Sequence, residues 1–91
     1  FYAEWCIACN KLERVVFKDT LVNEALRDSL TYTVDVTNNN AFSQSILSRF
    51  SLVGPPAILF FKNGQELRGQ RIIGEVNATE LTKHINDIDS I

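Results

Sequence analysis

Apolar positions along this chain alternate between helical and extended spacing, and the switches mark out its elements. From Ile7 to Val16, the residues Ala8, Leu12, Val15 and Val16 recur at helical intervals and predict one inward face. Asp19 is placed to cap a second, short helix with Leu21, Val22, Ala25 and Leu26 inward. Leu30 to Val36 is rich in β-branched residues and Tyr32, which predicts a strand. The Asn38-Asn39-Asn40 loop can cap a helix over Ala41 to Phe50. Gly54-Pro55-Pro56 breaks the chain, and the unbroken apolar run Ala57 to Phe61 reads as a strand buried on both faces. Asn63-Gly64 is a tight-turn signal, followed by a return strand over Arg68 to Ile73 with Gly74 as a bulge or exit bend. Asn77-Ala78-Thr79-Glu80 has the form of a capping box, with Asn in place of Ser or Thr. The last helix then runs to about Ile88 on a face of Leu81, Ile85 and Ile88. Phe1-Tyr2-Ala3 reads as the tail of a buried strand.

The resulting order is β-α-α-β-α-β-β-α. Early strands that alternate with helices favour parallel pairing, and the late hairpin adds an antiparallel pair. The expected fold class is α/β, a mixed sheet with helices on both faces.

Composition narrows the function more than the fold. With 91 residues the chain is one small domain, and its 45% apolar content is ordinary for a globular core. A net charge of −2 with both signs scattered, and no basic run, gives no footprint for nucleic acid. The run Ala57 to Phe61 is far too short to span a bilayer. The chain starts inside an element, so the lack of a leader peptide is uninformative.

The candidate chemistry sits in Trp5-Cys6-Ile7-Ala8-Cys9, which holds the only two cysteines of the chain. A Cys-x-x-Cys where a strand passes into a helix is the pattern of a dithiol redox site. Cys6 at the helix start meets unpaired N–H groups that favour a thiolate, and Cys9 follows one turn later, within reach of a disulfide. Two plainer readings are a structural bridge and half of a zinc site. Zinc needs two further ligands, for which the sequence offers only His84 and carboxylates. Glu13, four residues after Cys9, shares its helix face; it is either a solvated glutamate or a carboxylate that exchanges the Cys9 proton. Trp5 can shield Cys6 and pack on a partner, or fill core. His84 reads as a packing or surface residue. Asn77-Ala78-Thr79 matches a glycosylation sequon, but capping accounts for it. No cofactor is called for.

Phe1-Tyr2-Ala3-Glu4-Trp5-Cys6-x-x-Cys9, the later Gly54-x-Pro56 before a buried strand, and the Asn63-Gly64 hairpin together resemble a thioredoxin fold over essentially the whole chain. The Ile7-Ala8 pair, the Cys9-Asn10-Lys11-Leu12-Glu13 continuation and Val16-Phe17-Lys18-Asp19 resemble the C-terminal thioredoxin-like domain of DsbD-type transmembrane thiol:disulfide interchange proteins. That resemblance implies a protein-disulfide reductase, an acidic residue near the site at Glu13, and a cis-proline at Pro56 packed against the dithiol. It implies docking of partner segments on Trp5, Ile7, Pro55 and Pro56. It also implies a place on the periplasmic side of a bacterial inner membrane, between a membrane-embedded redox domain of the same protein and partner disulfides. The chain departs from the pattern twice. The first strand and helix of such folds are absent, so residues 1–91 read as an N-terminally truncated domain. Pro55, where relatives use a backbone N–H and C=O to hold a substrate strand, has no N–H. The alternative function is a redox-inert binding module of the same fold.

Overall fold

The computed structural model describes residues 1–89. Helix α1 (Ile7–Lys11) continues without a break into a π-helical turn, Leu12–Val16. Helices α2 (Thr20–Ala25) and α3 (Ala41–Arg49) follow. Strands β1 (Ala57–Ile58), β2 (Phe61–Lys62), β3 (Gln65–Glu66) and β4 (Ile72–Ile73) precede helix α4 (Ala78–Asp89).

Three predicted caps form as the side chains demand. The Leu21 N–H donates to Asp19 Oδ1 at 2.8 Å, Ser43 to Asn40 Oδ1 at 2.9 Å, and Glu80 to Asn77 Oδ1 at 2.8 Å. Each satisfies a first-turn donor that no helical carbonyl can reach. The Asn63-Gly64 turn has φ of 56° and 78°, the left-handed pair that a two-residue hairpin requires. Gly74, at φ 92°, makes the bend out of β4.

The sheet is assembled from short pieces. The Tyr2 N–H donates to the Val34 carbonyl at 2.9 Å and Val36 to the Tyr2 carbonyl at 2.8 Å, a parallel bridge centred on Asp35. On the other side, the Phe1 nitrogen donates to the Ala57 carbonyl at 2.8 Å. The order across the sheet is therefore the 34–36 segment, the Phe1-Tyr2 stub, β1 and β4. β1 pairs antiparallel with β4, and β2 with β3. A hydrogen bond from Leu67 to the Phe60 carbonyl, 2.8 Å, continues the second ladder toward the first. The register slips between them by a three-residue 3₁₀ turn, Arg68–Gln70.

Five expectations are corrected, the first being Leu21, expected inward on α2 but exposed beside the Asp19 cap. Leu30 to Val36 forms one bridge rather than a strand, and Leu30 and Tyr32 are exposed. β-branching alone does not hold a strand; only Val34 and Val36 find a neighbour. The run Ala57 to Phe61 is not buried throughout: Ala57 is, but Phe61 lies at the surface. The return strand is interrupted by the Arg68–Gln70 turn. In the first helix, Phe17 N–H donates to the Leu12 carbonyl, five residues back, at 2.8 Å. The extra residue in that turn rotates Val15 outward and brings Leu12 and Val16 to the core. Val15 instead lines an open groove with Val76 and Ala78.

Two apolar clusters result. Leu12, Val16, Val22, Leu81 and Ile85 join the first helix, α2 and α4. Ala3, Cys6, Cys9 and Val36 form the second, with Ile46 and Leu47 of α3 against it. The dithiol thus lies within the wall of the second cluster, on the helix whose far end anchors the first.

Candidate functional site

Cys6 is the N-cap of α1, with extended backbone at φ −90° and ψ 109°. Its Sγ accepts the Cys9 N–H at 3.1 Å, and its carbonyl accepts the Asn10 N–H at 3.1 Å. The two cysteines are joined as a disulfide, with Cα atoms 5.2 Å apart. Both are buried, Cys6 at 7% exposure and Cys9 at 2%. On reduction, the N–H that faces Cys6 Sγ is a donor to a thiolate, and it favours the charged form over the thiol.

A polar network secures the loop that enters α1. Asp35 Oδ1 accepts both the Thr37 N–H, at 2.8 Å, and the Thr37 hydroxyl. Those two bonds, the hydroxyl's first, hold the Asp35 carboxyl below its ordinary range. Thr37 Oγ1 in turn accepts the Glu4 N–H at 2.9 Å, and the Thr37 carbonyl accepts the Trp5 indole N–H at 3.0 Å. Asn10 Nδ2 closes the other side by donating to the Glu4 carbonyl at 3.0 Å. Trp5 is therefore fixed at its nitrogen while 62% of it stays open to solvent beside Cys6. Ile7, between the cysteines, is 86% exposed.

The Pro55–Pro56 bond is cis, and both rings are half-buried. The Pro56 carbonyl accepts the Gly74 N–H at 3.0 Å, which ties this loop to the end of β4. Pro55 presents only its carbonyl. Val53, just upstream, is fully exposed. Glu13 stands exposed on the π turn. Sequence reasoning missed Asp35 and Thr37, because a network built on backbone groups leaves no motif; the fold alone brings them to Trp5. His84, taken as packing, donates from Nε2 to the Gln70 carbonyl at 2.6 Å and lies against Phe60, 5.3 Å between ring centres. Among the described residues, no three His, Cys, Asp or Glu side chains converge as metal ligands.

A strand-to-helix Cys-x-x-Cys, a cis-proline loop and a sheet of this order belong to one class of redox fold. The thioredoxin family profile matches residues 1–87, and the chain belongs to that family. It is 39% identical over 88 residues to the thiol:disulfide interchange protein DsbD of Salmonella typhimurium, a match covering 96% of this chain. With DsbD of Pseudomonas fluorescens it shares 44% over 79 residues, 86% of the chain. The matched region is only 16% and 14% of those relatives' lengths. Among solved structures it superimposes on the Neisseria meningitidis DsbD C-terminal domain in the reduced form with a TM-score of 0.82 and 26% identity. That match covers 96% of this chain and 75% of the other. The oxidised form gives 0.80 and 27%, covering 99% and 74%.

Proposed function

We propose that this chain is a thiol:disulfide interchange domain, a protein-disulfide reductase whose working couple is Cys6 and Cys9. The observation that carries the reading is the Cys9 N–H on Cys6 Sγ, within a closed pair at the start of α1. The reduced Cys6 thiolate attacks a partner disulfide; that S–S bond breaks and one partner sulfur leaves as thiolate. Cys9, once deprotonated, attacks Cys6 Sγ, and the second partner sulfur leaves. Two electrons pass to the partner, and this chain ends as the disulfide. Trp5, Ile7, Pro55 and Pro56 form the docking surface for the partner segment. Glu13 takes up or returns the Cys9 proton.

The similarity to DsbD supports a setting on the periplasmic side of a bacterial inner membrane. There, a membrane-embedded redox domain of the same protein supplies electrons, and partner proteins receive them. Among the described residues, no helix is long and apolar enough to cross a membrane, which fits a domain that works beside the membrane-embedded one.

The reading is tested by equilibrating the protein with glutathione buffers of stepped poise and counting free thiols after an acid quench. One two-electron transition is expected, with ~30 mV in its midpoint worth about 1.4 kcal/mol. A pair that stays oxidised, or stays reduced, across the whole series marks a structural bridge or an inert binding module. A second measurement addresses Glu13. Glu13→Gln removes a negative charge from the helix that carries the dithiol, so the apparent pKa of the coupled thiol pair falls. Thiolate absorbance of wild type and variant against pH reads this directly, and superimposable curves assign Glu13 to the solvated surface.

A further inference from the structure

The loop that presents Pro55 and Pro56 is anchored at both ends by one short stretch of chain. At its exit, the Gly74 N–H holds the Pro56 carbonyl at 3.0 Å. At its entry, Arg71 Nη1 donates to the Phe50 carbonyl at 2.7 Å. Phe50 is the C-cap of α3, and Ser51, at φ 57°, turns the chain off the helix. The Leu52 N–H closes α3 on the Leu47 carbonyl at 2.8 Å, and beyond that turn the loop to Pro56 is tied to the rest of the fold by two bonds whose donors are three residues apart in sequence.

Arg71 can serve as an anchor because it is itself held. Its Nη2 donates to Glu66 Oε1 at 2.8 Å and its Nε to Glu66 Oε2, a two-pronged pair across the Arg68–Gln70 turn. The Arg71 hydrogen bond keeps the Glu66 carboxyl below its ordinary range, so the pair is charged at neutral pH. Both side chains are partly buried, at 14% and 11% exposure. The turn is pinned from its other side by His84 on the Gln70 carbonyl. Phe50, meanwhile, packs edge-on against Phe1 and Phe61, with ring centres 5.7 and 6.2 Å apart. A planar fork that satisfies a carboxylate and still directs a third donor at a helix-end carbonyl is a geometry that arginine has and lysine lacks.

We propose that Arg71, oriented by Glu66, is a positioning residue for partner docking: it holds the end of α3 in place through the Phe50 carbonyl, and hence fixes where the Ser51–Pro56 loop meets an extended segment of a disulfide-bearing protein. The assignment rests on the exchange reading above. It predicts a split between two substrates. A protein disulfide must lie along the loop, whereas a small aromatic disulfide needs only the sulfur of Cys6.

The test uses Arg71→Lys in the protein that carries this chain, with insulin as the protein disulfide, turned over by added dithiothreitol, and dithiobis-nitrobenzoate as the small one, reacted once with the pre-reduced protein. With the Phe50 carbonyl no longer held, the loop is misplaced for an extended segment, and KM for insulin rises by about tenfold. Within about twofold, kcat and the rate with the small disulfide are unchanged, as expected for groups remote from the sulfur. Unchanged KM for insulin, or equal losses with both substrates, overturns the assignment. If Arg71→Lys fails to fold by circular dichroism, Glu66→Gln serves the same test, since it keeps one acceptor and loosens the fork. A rise of about threefold in insulin KM alone is then expected, and an unmoved KM overturns the assignment. A wild type that reduces neither disulfide overturns the exchange reading and this assignment with it. An active wild type with an unmoved variant overturns this assignment alone.

Discussion

Cys9→Ser is expected to hold a partner protein in a covalent mixed disulfide that survives non-reducing electrophoresis, and Cys6→Ser to form none. Position decides the roles. Cys6 is the N-cap, its Sγ receives the Cys9 N–H at 3.1 Å, and it keeps 7% of its surface against 2% for Cys9. In Cys9→Ser, Cys6 still attacks and expels one partner thiolate. A serine hydroxyl is not ionised near neutral pH and cannot break the new bond, so the adduct persists. In Cys6→Ser the remaining thiol, 2% exposed in the cluster with Ala3 and Val36, offers a partner sulfur no in-line approach. Turnover is lost in both variants. The fold survives, because a bridge of sequence separation 3 closes so short a loop that its removal costs only about 2 kcal/mol of chain entropy. Incubation with an oxidised extract from the periplasm, alkylation, and electrophoresis with and without reductant give the answer. Adducts on Cys6→Ser with none on Cys9→Ser would reverse the assignment.

Local signals carried most of this fold into the sequence, and where they failed the cause was tertiary. Asp19, Asn40 and Asn77 cap the helices they precede because a cap needs only one side chain and the next turn. Asn63-Gly64 turns because its two residues tolerate positive φ. Leu30 and Tyr32 look like strand residues and lie exposed, since a strand is made by its neighbours. Val15 was assigned inward by a period of 3.6, and the π turn breaks that period by one residue through a bond no single side chain announces. The dithiol was legible because its chemistry is confined to four consecutive residues. The cis geometry at Pro56 was legible only through family resemblance. Asp35, Thr37, Glu66 and Arg71 were not legible at all: Thr37 and Arg71 reach partners distant in sequence through backbone groups, Asp35 and Glu66 only orient them, and their residue types fit any solvated surface equally well.

Leu81→Ala costs about 3 kcal/mol of stability, the usual loss for an alanine replacing a leucine in a core that cannot collapse on the cavity. Leu81 is 1% exposed at the centre of the cluster with Leu12, Val16, Val22 and Ile85. With Ile85 it carries α4 into the cluster shared with the first helix and α2. In a domain of 91 residues the loss corresponds to a fall of roughly 12–24 °C in Tm, a large part of the whole stability of so small a core. Leu21→Ala is the matched control. Helical spacing assigns Leu21 inward as well, yet it is 57% exposed next to the Asp19 cap, and its truncation changes stability by only about 0.5 kcal/mol. Urea titration of both variants in the oxidised state, read as a shift in midpoint at constant slope, separates them. Equal losses would mean that α2 presents a different face from the one described. A loss below about 1 kcal/mol at Leu81 would mean that the first cluster is not the core. The expected loss also reaches the dithiol, because Leu12 and Val16 lie on the same continuous helix as Cys9. Loosening their packing loosens the support of the turn that carries the Cys9 N–H.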